Sequence, residues 1–222
     1  MAEHLIIAID GPSGAGKSTL GRMLARELGL LYIDTGSMYR AVAVAVLETS
    51  TNETDDVTVG SLAERIDIDL AGDPDSLRVT LDGRDVTDRI RDEDVTDMSS
   101  IISTIPAVRR AMVRRQRELG RRGAVMNGRD IGTVVFPSAD FKFFLTATPE
   151  ARAERRLAEE REHNPGATYE ETFADMSERD RRDTTRADSP LVAAPDAVVI
   201  DTTRVSAVEV FQQMMREIKK RS

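Results

Sequence analysis

The residues of this 222-residue chain whose types and spacing most directly imply chemistry run from Gly11 to Thr19, GPSGAGKST. Gly11, Gly16, Lys17 and Ser18 satisfy G-x-x-x-x-G-K-[ST], the pattern of a phosphate-binding loop. Residues without a Cβ let backbone N–H groups converge on phosphate oxygens, and a following helix adds its free N–H groups and positive dipole end. On this reading Gly11, Pro12, Ser13, Gly14, Ala15, Gly16, Lys17, Ser18 and Thr19 cradle a nucleoside triphosphate. Lys17 reaches the β- and γ-phosphates, and the Ser18 hydroxyl ligates Mg2+.

Such a loop works only between a strand and a helix, and the flanks supply both. Leu5 to Ile9 is a short apolar run ending at Asp10. Leu20, Leu24 and Leu28 recur at helical spacing beside Met23, and Gly29 stands where a C-cap is expected. A second strand over Leu30 to Ile33 leads through Asp34-Thr35-Gly36 into a helix from about Ser37 to Glu48, with Tyr39 and Arg40 in its first turn. Ligands of α/β folds gather where strand ends meet helix starts, so Asp34, Thr35 and Arg40 are placed for use. Plain helix capping is the competing account of Asp34 and Thr35.

Thr49 to Asp56 is polar and reads as a surface connection, followed by a short helix around Leu62 to Ile66. Ile66, Ile68 and Leu70, then Leu77, Val79 and Leu81, alternate with polar residues as half-buried strands do, with turns at Gly72 to Asp75 and at Asp82-Gly83. This hairpin interrupts the strand–helix alternation, which marks about 57–105 as an insertion between core segments 1–48 and 106–222. No calcium-loop spacing accompanies its acids. A helix over Glu93 to Ser103 precedes a longer one opened by Pro106 and ended by Gly123. The arginines between 109 and 122 suit a solvated face, with one or two near the start turned toward the site.

Ala124 to Met126 is a buried-type strand, and Arg129 and Asp130 lie just beyond it between Gly128 and Gly132; a structural salt bridge is the alternative for that pair. Further elements are a strand over Phe141 to Leu145, a helix from Pro149 broken at His163 to Gly166, a helix over Tyr169 to Thr185, a strand over Ala197 to Ile200, and a helix over Val205 to Lys220. The alternation implies a single three-layer α/β/α domain around a mostly parallel five-stranded sheet.

Composition narrows the class. The net charge of −8 disfavours a polyanion partner, so neither nucleic acid nor an anionic membrane is expected. The longest apolar run, Ala41 to Leu47, is far too short to span a membrane. With no cysteine and no basic-then-apolar leader, a cytoplasmic protein is expected. The lack of a coiled-coil stripe suggests a monomer. Lysine occurs only at 17, 142, 219 and 220, so 27 of the 31 cations are arginine, whose planar donor fork suits phosphate.

No asparagine precedes a lysine, so the guanine-reading N-K-x-D of switch GTPases is missing, and AVMNGRD lacks the strand-end acid usual in motor ATPases. Transfer of a γ-phosphoryl group to a small acceptor remains. A phosphate acceptor is already an anionic nucleophile, requires positioning and charge neutralisation but no base, and would draw on the arginines at 129, 152–161 and 179–186. A hydroxyl acceptor, as in shikimate or gluconate kinases, would need a base, for which Asp34 is the candidate. A nucleotide-dependent RNA binder using Arg109 to Arg122 is the alternative from another class.

The motifs IDGPSGAGKST, IDTGSMYRA, GRDIGTVVFP, SERDRRDTTR and SPLVAAPDAVVIDT span nearly the whole length, and together they resemble the bacterial cytidylate (CMP/dCMP) kinases of the nucleoside monophosphate kinase group. The resemblance implies that ATP phosphorylates CMP or dCMP with Mg2+, within pyrimidine nucleotide metabolism. Arg40, Arg129 and Arg186 would hold the acceptor phosphate, while Ser100, Arg109 and Asp130 would read the cytosine edge. Arg179 and Asp183 would contact the sugar, and Thr35 and Tyr39 would line the acceptor site. Arg155 would contact ATP, and Asp34 would assist the metal through a water. It also implies catalytic weight for Lys17, Arg129, Asp130 and Arg186, a monophosphate-binding role for the insertion, and a lid over about 150–166. Cytosine offers an N4 amine to a carboxylate such as Asp130, whereas uracil would leave it facing an acceptor. The family often has an acid just before GRD; here Asn127 stands there. If that acid holds an arginine, its absence should weaken acceptor binding modestly.

Overall fold

The computed structural model describes residues 4–162 and 164–221. Its main sheet has five strands: β1 (Ile6–Asp10), β2 (Leu31–Asp34), β6 (Ala124–Gly128), β7 (Phe141–Thr146) and β8 (Val198–Asp201). Their order is β2-β6-β1-β7-β8, and every pairing is parallel. The register sets Asp10 beside Gly128 and Asn127 beside both Ile9 and Asp34, so the carboxyl ends of three strands share one edge. The sequence-derived expectation of a mostly parallel five-stranded sheet is met.

Strand alternation divides the core. Ile7, Ile9 and Val125 point to one face, where they pack with Leu20 and Leu24 of α1 (Lys17–Leu28) and with Val210, Met214 and Ile218 of α8 (Ala207–Arg221). Ala8, Ala124 and Met126 point to the other, against Met38 and Val42 of α2 (Thr35–Glu48) and Val108 and Met112 of α5 (Pro106–Gly120). Burial on both faces is why these strands read as apolar runs.

Between α2 and α5 lie α3 (Asp56–Arg65), α4 (Glu93–Ile102) and an antiparallel sheet of β3 (Ile68–Ala71), β4 (Arg78–Leu81) and β5 (Arg84–Asp85). Asp82 and Gly83 both take positive φ, 49° and 76°, as a two-residue hairpin turn demands. Ile68, Leu70, Val79 and Leu81 join the same apolar cluster as α2 and α5. The chain then finishes through α6 (Pro149–Glu160) and α7 (Tyr169–Thr185). His163, part of the expected break and lid, lies outside the described residues.

Several boundaries depart from the sequence reading. α3 begins six residues earlier than expected, because Asp55 caps it through Thr58 N–H. α5 stops at Gly120 instead of running to Gly123, and β6 extends through Asn127 and Gly128. β5 and a π-helical turn over Ile131–Val135 carry no periodic signal in so few residues.

Candidate active site

The phosphate loop crosses from β1 to α1 with its backbone exposed to a large open cleft. Gly14 (φ 73°) sits so close to α6 that a Cβ would meet Arg152 O at 2.8 Å, and Gly16 (φ 89°) caps α1 in the left-handed region. Lys17 is buried and donates Nζ to Pro12 O at 2.6 Å. Burial, and then the fields of Arg129 and Arg179, push its pKa well below the usual lysine range. Arg155 ties the loop from outside, donating Nη1 to Gly14 O (3.3 Å) and to Thr202 Oγ1 (3.1 Å).

The strand edge supplies oxygen atoms beside this loop. Asn127 donates Nδ2 to Ser18 Oγ at 3.3 Å, and its own Oδ1 is buried with no partner among the described residues. Asp34 caps α2 by accepting Gly36 N–H at 3.0 Å, and its other oxygen lies 3.6 Å from Arg40 Nη2. The capping account of Asp34 is therefore correct as far as it goes. Thr35 donates its hydroxyl to Asn127 O at 2.9 Å, bonding β2's end to β6's. Ser18 Oγ, Asn127 Oδ1 and the Asp34 carboxylate are the hard oxygen donors that suit Mg2+.

Opposite the loop, arginines and aspartates from four segments converge. Arg109 from α5 is 2% exposed, its Nη2 bonded to Asp130 Oδ2 and its Nη1 3.2 Å from Ser103 O. Its guanidinium lies 5.7 Å from the centre of the Tyr39 ring, and burial pushes the Tyr39 phenol up to about 12. Arg129 donates Nε to Asp183 Oδ2 at 2.8 Å, and Arg186 approaches Asp183 Oδ1 at 3.3 Å. Ser100 on α4 accepts from Arg182 of α7 at 3.1 Å. Arg40, Arg129, Arg179 and Arg186 line one cleft of about 2790 Å³ together with Lys17 and Ser18. That space exceeds the ~300–1,000 Å³ of an ordinary small-molecule pocket, as a site for two substrates should.

Arg40 Nε, Arg109 Nε and Arg186 Nη2 are buried without a partner among the described residues. Burial and the Arg129 field lower the Arg179 pKa to about 10, and burial with the Arg109 field lowers that of Arg186. Arg179 and Arg186, each lowered by a neighbouring guanidinium, belong to a cluster of cations that a phosphate group would neutralise.

A cytidylate kinase family model matches residues 7–220. The chain belongs to the cytidylate kinase family. Named cytidylate kinases from Solibacter usitatus and Desulforamulus reducens are each 48% identical over 222 residues, covering 99% of this chain and 94% and 99% of theirs. That of Mycobacterium leprae is 44% identical over 220 residues, with 98% and 97% covered. An uncharacterized protein from Eubacterium ventriosum shares the fold, with a TM-score of 0.51 at 12% identity over 97% of this chain and 98% of its own.

Among the described residues of this cytidylate kinase family member, the Asn127 side chain makes no hydrogen bond to an arginine. Lying between β1 and β2, it faces the loop helix, while Asp183 takes the Arg129 guanidinium. Sequence reasoning missed the parts played by Asp10, Arg152 and Thr202. Arg152 is 5% exposed and joins Ser13 O (3.2 Å) to Asp180 (2.7 Å), and Thr202 donates to Ala15 O (3.2 Å). Nothing in spacing could reveal the last two. A carboxylate closing an apolar strand just before the loop was the available signal for Asp10.

Proposed function

We propose that this chain transfers the γ-phosphoryl group of ATP to CMP or dCMP, giving CDP or dCDP and ADP. The observation that carries this reading is that Arg40, Arg109 and Arg186, each with a buried guanidinium nitrogen unpartnered among the described residues, line the same cleft as Lys17 and Ser18. Family membership supports the acceptor.

In this mechanism an oxygen of the acceptor phosphate, already deprotonated, forms the new bond to the γ-phosphorus. The bond to the β,γ-bridging oxygen breaks, and ADP leaves with the electron pair, so no base is required. Arg40, Arg129 and Arg186 hold the acceptor phosphate in line, and Lys17 with the loop amides neutralises charge on the donor. Asp130, oriented by Arg109, accepts from cytosine N4, Ser100 completes base reading, and Thr35 and Tyr39 line the acceptor site. Arg179 and Asp183 meet the sugar, and Arg155 contacts ATP. Ser18, Asp34 through a water, and Asn127 Oδ1 would hold Mg2+, which would supply charge neutralisation at the phosphates. Residues of about 57–105 form the acceptor-binding part, and about 150–166 a lid that excludes water.

Among the described residues no helix is long and apolar enough to cross a membrane. A cytoplasmic monomer in pyrimidine nucleotide metabolism, binding nucleotides rather than nucleic acid, fits the acidic, cysteine-free composition. The test is ADP formation from Mg-ATP with CMP, dCMP, UMP, AMP and shikimate offered separately. Strong turnover on CMP and dCMP is expected; turnover on another acceptor alone would overturn the base-reading assignment.

A further inference from the structure

β1 ends in a carboxylate that the transfer chemistry leaves unused. Asp10 is 4% exposed, accepts Ile131 N–H through Oδ1 at 2.8 Å and accepts Gly132 N–H through Oδ2 at 2.7 Å. These amides open the π-helical turn that follows Asp130, where the first donors of a helical segment lack partners of their own. From the other side, Asp130 O accepts Val134 N–H (2.9 Å) and Val135 N–H (3.2 Å). The Asp130–Ile131 peptide is thus clamped from both directions. A Cβ at Gly132 would lie 3.4 Å from Asp10 Oδ2 and 3.1 Å from the Lys142 stem, so the clamp fits closely.

The connection matters because of what Asp10 adjoins. The next residue, Gly11, opens the phosphate loop, and its Cα packs so tightly on β7 that a Cβ would fall 2.1 Å from Leu145 O. One side chain therefore joins the root of the donor loop to the turn bearing Arg129 and Asp130. The groups facing this carboxylate are Asp130 and Lys17, with Lys142 across Gly132. Burial raises its pKa to about 6 against the two amide bonds, so the site keeps an anion where ionisation costs energy.

We propose that Asp10 is a positioning residue for phosphoryl transfer, holding the acceptor-reading turn in register with the phosphate loop. This inference rests on the CMP kinase reading above. A carboxylate serves where a neutral side chain would not, because it meets both amides at once, one per oxygen. Asparagine keeps one acceptor and replaces the other with a donor facing an N–H.

The experiment compares wild type, Asp10→Asn and Asp10→Ala in steady-state assays with CMP, UMP and ATP, alongside thermal unfolding. For Asp10→Asn, KM for CMP should rise about tenfold, kcat should fall by a similar factor, and CMP-over-UMP preference should shrink, while KM for ATP stays within about twofold. Asp10→Ala should be worse in the same columns. Acceptor kinetics equal to wild type, or KM values for ATP and CMP rising together with a lowered Tm, would overturn the proposal. Should both variants fail to fold, hydrogen exchange on the wild type decides: CMP, but not ATP, should further slow exchange at the Ile131 and Gly132 amides, and no effect of CMP overturns it. Wild-type enzyme inactive on CMP would instead sink the functional reading, and this inference with it.

Discussion

Arg129 and Asp183 meet across the cleft, Nε to Oδ2 at 2.8 Å, joining the turn after β6 to the last turns of α7. The Asp183 side chain is 9% exposed and also lies 3.3 Å from Arg186 Nη1. One carboxylate thus aims two of the arginines assigned to the acceptor phosphate. Burial works to raise the Asp183 carboxyl, but the guanidiniums of Arg129, Arg179 and Arg186 together pull it below the ordinary range.

Asp183→Asn should therefore lower stability at neutral pH by about 3 kcal/mol, the low end for removing one member of a buried ion pair. A depressed folded-state pKa contributes stability above the unfolded value, and this is lost as pH falls through the folded value. The difference between wild type and variant should stay constant down to about pH 5 and shrink below it as pH falls through the folded value, read by urea unfolding at each pH. A difference constant across that range would contradict the assigned ionisation.

Asp130→Asn replaces the acceptor for cytosine N4 with a group able to donate to uracil O4. We expect kcat/KM for CMP to fall by about 10² to 10³ and the CMP-to-UMP ratio to collapse or invert. Parallel losses on both substrates would assign Asp130 to holding Arg109 alone.

Asn127→Asp puts a carboxylate beside Ser18 rather than beside an arginine. The Mg2+ concentration giving half-maximal rate should fall several-fold, with KM for CMP unchanged within about twofold. A changed CMP KM at constant Mg2+ dependence would restore the acceptor-side role expected from sequence.

Arg155→Ala removes the bonds to Gly14 O and Thr202. KM for ATP should rise about tenfold while KM for CMP stays near its wild-type value, measured by varying each substrate at saturating levels of the other. An equal rise in both would point to loss of the loop's shape.

The sequence by itself determined the phosphate loop, its strand and helix, and the parallel sheet. These rest on local spacing: glycines and Lys17 within nine residues, Leu20 and Leu24 one turn apart, and apolar runs buried on both faces. It also marked Arg40, Arg129 and Asp130 as placed at strand or helix ends, where a ligand would sit, and the motif resemblance added Arg186. Only the tertiary structure decided the partners. Asp183 lies 54 residues from Arg129, Asp130 lies 21 from Arg109, and Asp10 lies 121 from Ile131. No periodicity links such positions; the parallel register and the packing of α5 and α7 bring them together. The same register turns Asn127 to Ser18, which a motif comparison could not reveal, because a side chain's neighbour across a sheet is set by strand order rather than by distance along the chain.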